Sequence, residues 1–356
     1  MRTNYFNPEP MLNVPVNAPD KAKYPVVDLH NHLWGDVSAE TLIEIMDSVG
    51  VKAYNNLTGN AYLSLKDNCY SIAKRPLANY IRDYVRKYPG RFFCFTLSEF
   101  AQWEDFVLFK ENRFVDRFLD TLEEDVAQGA VGLKVMKELG LVFTDPDGSL
   151  VPVDDTRLYP VWKRAGELKI PVLIHVSDPM AFFMPVDDKN EHYYTLKEFP
   201  GWSFFGSRFS KAQLLEQRDH IITDFPGTIF ICPHVANCAE DLMSVAKFLD
   251  DHANTYIDFS ARIDELGRQP FTARDFFLRY QDRILFGVDM PVNEDIYRCY
   301  FRFLETKDEF FDYPDYIGRW GYHRWKIYGL NLPDEVLRKV YYENAVKLIP
   351  SLGDFF

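Results

Sequence analysis

Short apolar runs rich in β-branched and aromatic residues recur along the chain, each followed by a stretch with helical periodicity. The predicted strands are Val26–Leu29, Val51–Asn55, Phe92–Leu97, Val131–Val135, Val172–Val176, Ile229–Cys232, Thr255–Phe259 and Ile284–Gly287. Several are near-continuous Val, Ile, Leu and Phe, the pattern of parallel strands buried on both faces. Between them, Ser38–Val49 repeats apolar residues at Leu42, Ile45, Met46 and Val49, with Ser38 as N-cap. Phe114–Gln128 ends at Gly129, and Asp155–Leu168, Lys211–Phe225, Ala239–Asp251 and Phe271–Gln281 complete the series. Eight strands alternating with helices predict a (β/α)8 barrel.

Two stretches exceed ordinary connections. Ser177–Ser210 follows the fifth strand and carries Phe182, Phe183, Tyr193, Tyr194, Phe199, Trp202, Phe204, Phe205 and Phe209. A segment of that length is expected to act as a lid over the barrel mouth, with Trp202 a substrate-contact candidate. The tail from Pro291 contains a final helix, Pro333–Leu348, and is expected to pack on the barrel. The organisation expected is an N-terminal arm, residues 1–23, and one barrel domain, residues 24–356.

Composition narrows the partners. A formal charge of -13 over 356 residues disfavours nucleic acid and anionic membrane surfaces. The expected partner is a small molecule, with self-association left open. Five scattered cysteines without a CxxC pair give neither a zinc knuckle nor a disulfide framework. No apolar run reaches membrane-spanning length, and the first twenty residues are polar and Pro-rich, so a cytoplasmic location is expected.

Candidate chemistry collects at the predicted strand ends, where barrels of this kind place their active sites. The first strand runs into Asp28-Leu29-His30-Asn31-His32, with the two histidines on one face. Strand four carries Lys134, strand five ends in His175 and strand six in His234. Strand seven ends near Asp258, Ser260 and Arg262, and strand eight in Gly287-Val288-Asp289-Met290-Pro291. The remaining histidines, His192, His220, His252 and His323, fall in loops or helices. Imidazole and carboxylate are the ligands of a catalytic divalent metal.

Asp-x-His-x-His on strand one, His on strands five and six, and Gly-x-Asp-x-Pro on strand eight resemble the amidohydrolase superfamily, most closely its amidohydrolase-2 branch of metal-dependent hydrolases and decarboxylases. The resemblance covers roughly residues 24–349 and includes Leu332-Pro333 and Asn344-Ala345 in the closing segment. It implies His30, His32, His175 and Asp289 as metal ligands, with Asp289 also taking a proton from activated water. It implies His234 as acid/base, or as ligand of a second ion, and Asp28 as an acceptor orienting His30 or His32. In binuclear members a lysine at the end of strand four is carboxylated and bridges two metals, which is the position of Lys134. The nearest branch holds one metal without that bridge, so one ion is expected, zinc before manganese.

Lys134 or Lys137 could instead hold a substrate carboxylate. Arg262 and Asp178 both reach the predicted mouth, Arg262 as a bidentate carboxylate contact or as partner of Asp264. The expected function is a metal-dependent hydrolase using activated water on an amide, lactone or ester C–N or C–O bond. The alternative is non-oxidative decarboxylation of an aromatic or unsaturated acid; the aromatic lid favours a planar or apolar substrate and does not choose between the two reactions. A metal-binding barrel without catalysis is the second alternative. A phosphoesterase opening with His-x-His fits less well, given Gly-Val-Asp-Met-Pro on strand eight.

Overall fold

The computed structural model describes residues 10–35, 37–66, 69–101, 106–320 and 325–356. Ten strands run in chain order: β1 (Val26–Asn31), β2 (Val51–Asn56), β3 (Ala61–Lys66), β4 (Cys69–Lys74), β5 (Phe92–Cys94), β6 (Leu133–Val135), β7 (Val172–Ile174), β8 (Phe230–Cys232), β9 (Thr255–Asp258) and β10 (Ile284–Leu285). β1, β2 and β5 form one parallel sheet, and β6 to β10 another in sequential order. A parallel bridge between Thr96 and Leu133 joins β5 to β6. Leu29 N–H donates to the Phe286 carbonyl and Val288 N–H to the His30 carbonyl, joining β10 back to β1. The sheets thus close into the (β/α)8 barrel, each barrel strand falling on a predicted run.

Side chains alternate between two apolar clusters. Val27, Leu29, Ala53, Phe93, Leu173, Ile231 and Leu285 fill the barrel interior, joined by Ala345 of the closing helix and by Ile349 and Leu352 just after it. Val26, Val51, Phe92, Leu133, Val172 and Phe230 face the helix layer. This two-sided burial is why the strands read as continuous apolar runs.

Local signals set the helix ends. Ser38 caps Ala39–Val49 by accepting from Thr41 N–H, and Gly50 closes it at φ 88°. Ser210 and Gln213 form a reciprocal capping box on Lys211–Asp224. The closing helix runs from Asp334 to Leu348 and widens by one residue per turn at Lys339–Glu343.

Three excursions cover the C-terminal ends of the strands. One is the β3–β4 hairpin, which the hydrophobic pattern did not single out. The second is Ser177–Ser210, which contains short helical turns rather than extended loop. The third, residues 306–320 and 325–332, follows helix Glu294–Glu305 and brings Tyr316 over the barrel. Cys94, Cys232, Cys238 and Cys299 are free thiols, and Cys232 belongs to the apolar core. No helix among the described residues is long and apolar enough to cross a membrane. His323 lies outside the described residues.

Candidate active site

The strand ends bring His30, His32, His234 and Asp289 onto one point. Asp289 Oδ2 lies 3.5 Å from His30 Nε2 and 3.6 Å from His234 Nε2, and Oδ1 lies 3.5 Å from His32 Nε2. These separations are too long for good hydrogen bonds. Two ligands held at ~2.1 Å from a cation in tetrahedral geometry stand about 3.4 Å apart, so the spacing suits ligation. Among the described residues the Nε2 atoms of His30 and His234 have no hydrogen-bond partner, leaving two buried lone pairs aimed inward.

Each of these side chains is fixed from behind. His30 Nδ1 donates to Asp258 Oδ2 at 2.8 Å, which leaves Nε2 as the lone-pair nitrogen. Asp258 Oδ1 accepts from the backbone N–H of His234 and from Ser260 Oγ, so one carboxylate serves two strand ends. His234 Nδ1 donates to the Ser260 carbonyl at 2.8 Å. Asp289 is docked on β1 by its own N–H, which donates to the His30 carbonyl at 2.9 Å. That approach requires Gly287: a Cβ there would lie 2.5 Å from the His30 Cβ. The glycine of Gly-x-Asp-x-Pro is a packing requirement of the site.

The backbone is strained where these residues sit. His234, Val235, Ala236 and Asn237 form a left-handed turn with φ between 52 and 61°. A β-branched valine there is a strong outlier, sustained by the Asp258 bond to His234 N–H and by Asn237 N–H on the Pro233 carbonyl. Asp289 and Ala261 also have φ of 51°.

Electrostatics follow burial. Burial lowers His32 to about 3 and His175 to about 4, and holds His234 well below its ordinary value, so these imidazoles are neutral. Burial also works against a charged His30, but Asp258 and Asp289 outweigh it and raise its affinity for a proton. Burial would raise Asp289, yet His30, His32 and His234 keep it well below the carboxylate range. A divalent ion would occupy the place of that proton. Neutral imidazoles facing an ionised carboxylate are the donor set such an ion needs.

His175 stands beside this group rather than within it. Its ring centre is 4.5 Å from that of His234, and its Nε2 donates to the Ser177 carbonyl at 3.0 Å, leaving Nδ1 as its free nitrogen. Asp28 does not orient either histidine. It accepts from Tyr297 Oη at 2.6 Å and Asn31 Nδ2 at 2.9 Å. The register of β1 against β2 slips between Asp28 and Asn31, so Asp28 turns to the helix layer while His30 turns to Asp258. Burial raises Asp28 to about 7. The orienting acceptor is Asp258, which ends β9 in Tyr256-Ile257-Asp258; an acid closing an apolar strand was the available signal.

A cavity of about 110 Å³ opens above the group, lined by Lys134, His175, Asp178, Trp202, Arg262 and Asp289 together with Trp34, Phe182 and Tyr316. It is of the same order as a ~150 Å³ cavity that holds one benzene ring. Lys134 Nζ is buried with no hydrogen-bond partner among the described residues, and burial lowers it to about 8. Asp178 pairs with Lys137 at 2.5 Å and lies 3.5 Å from Arg262. Burial would raise Asp178, but Lys137, then His175 and Arg262, hold it low. Arg262 therefore turns to Asp178 and not to Asp264. Phe182 is one of the aromatics expected in the lid, whereas Trp34 and Tyr316 had no assigned role in the sequence, each lying outside the regular strands and helices.

Fold and site together define a (β/α)8 barrel with a cluster of histidine and aspartate donors at the strand ends. The chain belongs to the Amidohydrolase family, whose profile matches residues 106–350. His30 and His32 lie before the matched region. No curated protein matches the chain. Among solved structures, a 2,6-dihydroxybenzoate decarboxylase in complex with 2,6-dihydroxybenzoate is 17% identical at TM-score 0.55, covering 92% of this chain and 99% of its own. A dihydroxybenzoic acid decarboxylase from Polaromonas, with bound manganese and 2-nitroresorcinol, is 14% identical at TM-score 0.54, covering 92% and 97%. An amidohydrolase from Burkholderia multivorans with bound zinc is 10% identical at TM-score 0.50, covering 91% and 99%. At these identities the likeness is one of fold.

Proposed function

We propose that the protein is a metal-dependent enzyme acting on a small planar carboxylic acid, and that its reaction is non-oxidative decarboxylation. The observation that carries this reading is Lys134: a buried ammonium without a hydrogen-bond partner among the described residues, facing the cavity beside Asp289. An unpaired buried cation is costly, and an anionic substrate group would satisfy it. Arg262 adds a second cation at the same wall. The aromatic side chains Trp34, Phe182, Trp202 and Tyr316 enclose a space suited to one ring.

His30, His32 and Asp289 would hold the ion, with His175 through Nδ1 or His234 through Nε2 completing the shell. Such an ion supplies Lewis acidity and positive charge to a substrate oxygen. Zinc and manganese both suit this nitrogen and oxygen set, and are the ions bound in the Burkholderia and Polaromonas structures. Lys134 and Arg262 orient the substrate anion. The carbon–carbon bond breaks toward the ring, carbon dioxide departs, and the electron pair left on carbon takes a proton. Asp289, ionised at rest, would take up one proton from solvent and pass it to that carbon, so that carboxylate and proton give carbon dioxide and a ring C–H. The cover excludes water from the ring during transfer.

Hydrolysis is the second reading. It rests on the ionised state of Asp289, which can take a proton from water directly. The test is to incubate the protein with zinc or manganese and two panels: hydroxylated benzoates and short unsaturated acids, and lactones, amides and esters. Release of carbon dioxide with the matching decarboxylated product, lost in Asp289→Asn, is expected. Turnover confined to the second panel would overturn decarboxylation in favour of hydrolysis.

A further inference from the structure

Away from the strand-end histidines, the structure buries a second set of metal-type donors. His192, in the segment Ser177–Ser210, meets Asp264 and Glu265 of the short helix Ile263–Gly267. One donor atom from each lies within 4.8 Å of the other two, and each residue is 2% exposed. His192 Nε2 stands 3.6 Å from Glu265 Oε1, again close to the ~3.4 Å separation of two ligands on one tetrahedral cation.

The polar atoms here are not satisfied by neighbours. Both ring nitrogens of His192, Asp264 Oδ1 and both Glu265 oxygens have no hydrogen-bond partner among the described residues. Tyr316 Oη reaches the other Asp264 oxygen only at 3.5 Å. The nearby guanidinium groups bond elsewhere, Arg262 to the Ala261 carbonyl and Arg268 to Glu191 and the Asp264 carbonyl. Burial, and then the Glu265 charge, push the Asp264 carboxyl well above its usual range. A proton shared between the two carboxyls would ease their repulsion, but His192 Nε2 would then face Glu265 at 3.6 Å and Glu191 at 3.9 Å, both too long for a good hydrogen bond. A divalent cation answers all three side chains at once.

We propose that His192, Asp264 and Glu265 form a second divalent-cation site, separate from the strand-end cluster, that ties the cover to the barrel. The donor set of one imidazole and two carboxylates suits zinc or manganese. His192 is the only one of the three on the cover, so the ion would bridge the segment Ser177–Ser210 to the end of β9. Phe182, which lines the cavity, packs edge-on against His192 at 5.3 Å between ring centres, so the tie sits directly behind the cavity wall.

The probe is zinc alone, added to chelator-stripped full-length protein. Crystals of the wild type grown with zinc should show an anomalous peak between His192, Asp264 and Glu265, a readout that needs no variant. In solution, Glu265→Gln and His192→Ala, checked for folding by circular dichroism, should each bind one equivalent fewer than the wild type. The double variant His30→Ala, Asp289→Asn should keep that equivalent. If zinc binding at the strand ends fails, one equivalent lost only with Glu265 and His192 still supports this site. Zinc uptake unchanged in Glu265→Gln and His192→Ala, with no peak at these side chains, overturns it.

Discussion

At the strand ends, each side chain of the candidate metal cluster is held from behind; in the cover, few are. His30, His234 and Asp289 are fixed by Asp258, by the Ser260 carbonyl and by backbone bonds between β1 and the end of β10. Trp202 rests on Phe199 at 4.3 Å between ring centres, with its indole N–H unpartnered, and Phe205 in the same segment is 59% exposed. The difference separates two tasks. Ligands must sit within a fraction of an ångström of one arrangement, so they are mounted on strands with supporting bonds. Substrate walls can differ between relatives of one fold, so they are mounted on excursions.

Exchange at the strand ends should therefore do the most damage. Asp289→Asn removes a ligand, a charge and the proton carrier together. Activity is expected to fall by at least ~10³, at or beyond the range for loss of one preorganised electrostatic group. Steady-state turnover and metal content of the purified variant check this. Undiminished turnover in Asp289→Asn would break the comparison at its root.

Asp258→Asn tests the supporting bond itself. Asp258 is a positioning residue, touching His30 and the His234 backbone but not the cavity. Metal affinity is expected to fall roughly 10–100-fold, the usual effect of losing an outer-shell partner. Activity should recover at saturating metal, which a metal titration of turnover would show. A turnover defect that excess metal does not relieve would give Asp258 a direct part in the chemistry.

Arg262→Lys tests the wall. The planar guanidinium between Asp178 and the cavity offers paired donors that an ammonium cannot copy. KM is expected to rise about tenfold, equivalent to ~1.4 kcal/mol, with kcat within a few-fold and metal content unchanged. A loss of kcat as large as that of Asp289→Asn would erase the distinction between ligand and wall.

The same division decides what could be read in the sequence. All eight barrel strands carry two-sided burial, so each announced itself as an apolar run. His30, His32, His234 and Asp289 follow those runs directly, and so their convergence was legible. The orienting role fell to Asp258 rather than Asp28, because a register slip in β1 breaks the alternation that would have carried Asp28 toward His30. The β3–β4 hairpin, Tyr316 and the His192–Asp264–Glu265 cluster were not legible. The contacts of Tyr316 and of that cluster join segments far apart in sequence, and no period marks them. The glycine of Gly-Val-Asp was visible as a motif, but its reason, the approach of His30 Cβ, needs the fold.

A group in neither region gives the smallest expected effect and the control for the rest. Asp125, on helix Phe114–Gln128, is 6% exposed and accepts from Thr96 Oγ1 at 2.5 Å. Burial raises it from 3.8 to about 6, against the opposing pull of the Thr96 bond. Its proton is therefore held more tightly in the folded than in the unfolded chain. The resulting stabilisation is fully present below pH 3.8 and is lost as pH rises through about 6. The shift corresponds to at most about 3 kcal/mol. Asp125→Asn keeps an oxygen for Thr96 and removes the titration, so urea unfolding of the variant should lack this decline between pH 4 and 7. Turnover at any one pH should be unchanged, since Asp125 touches neither ligands nor wall. A variant as pH-sensitive in stability as the wild type would assign the slope to another buried carboxyl, with Asp28 the next to exchange.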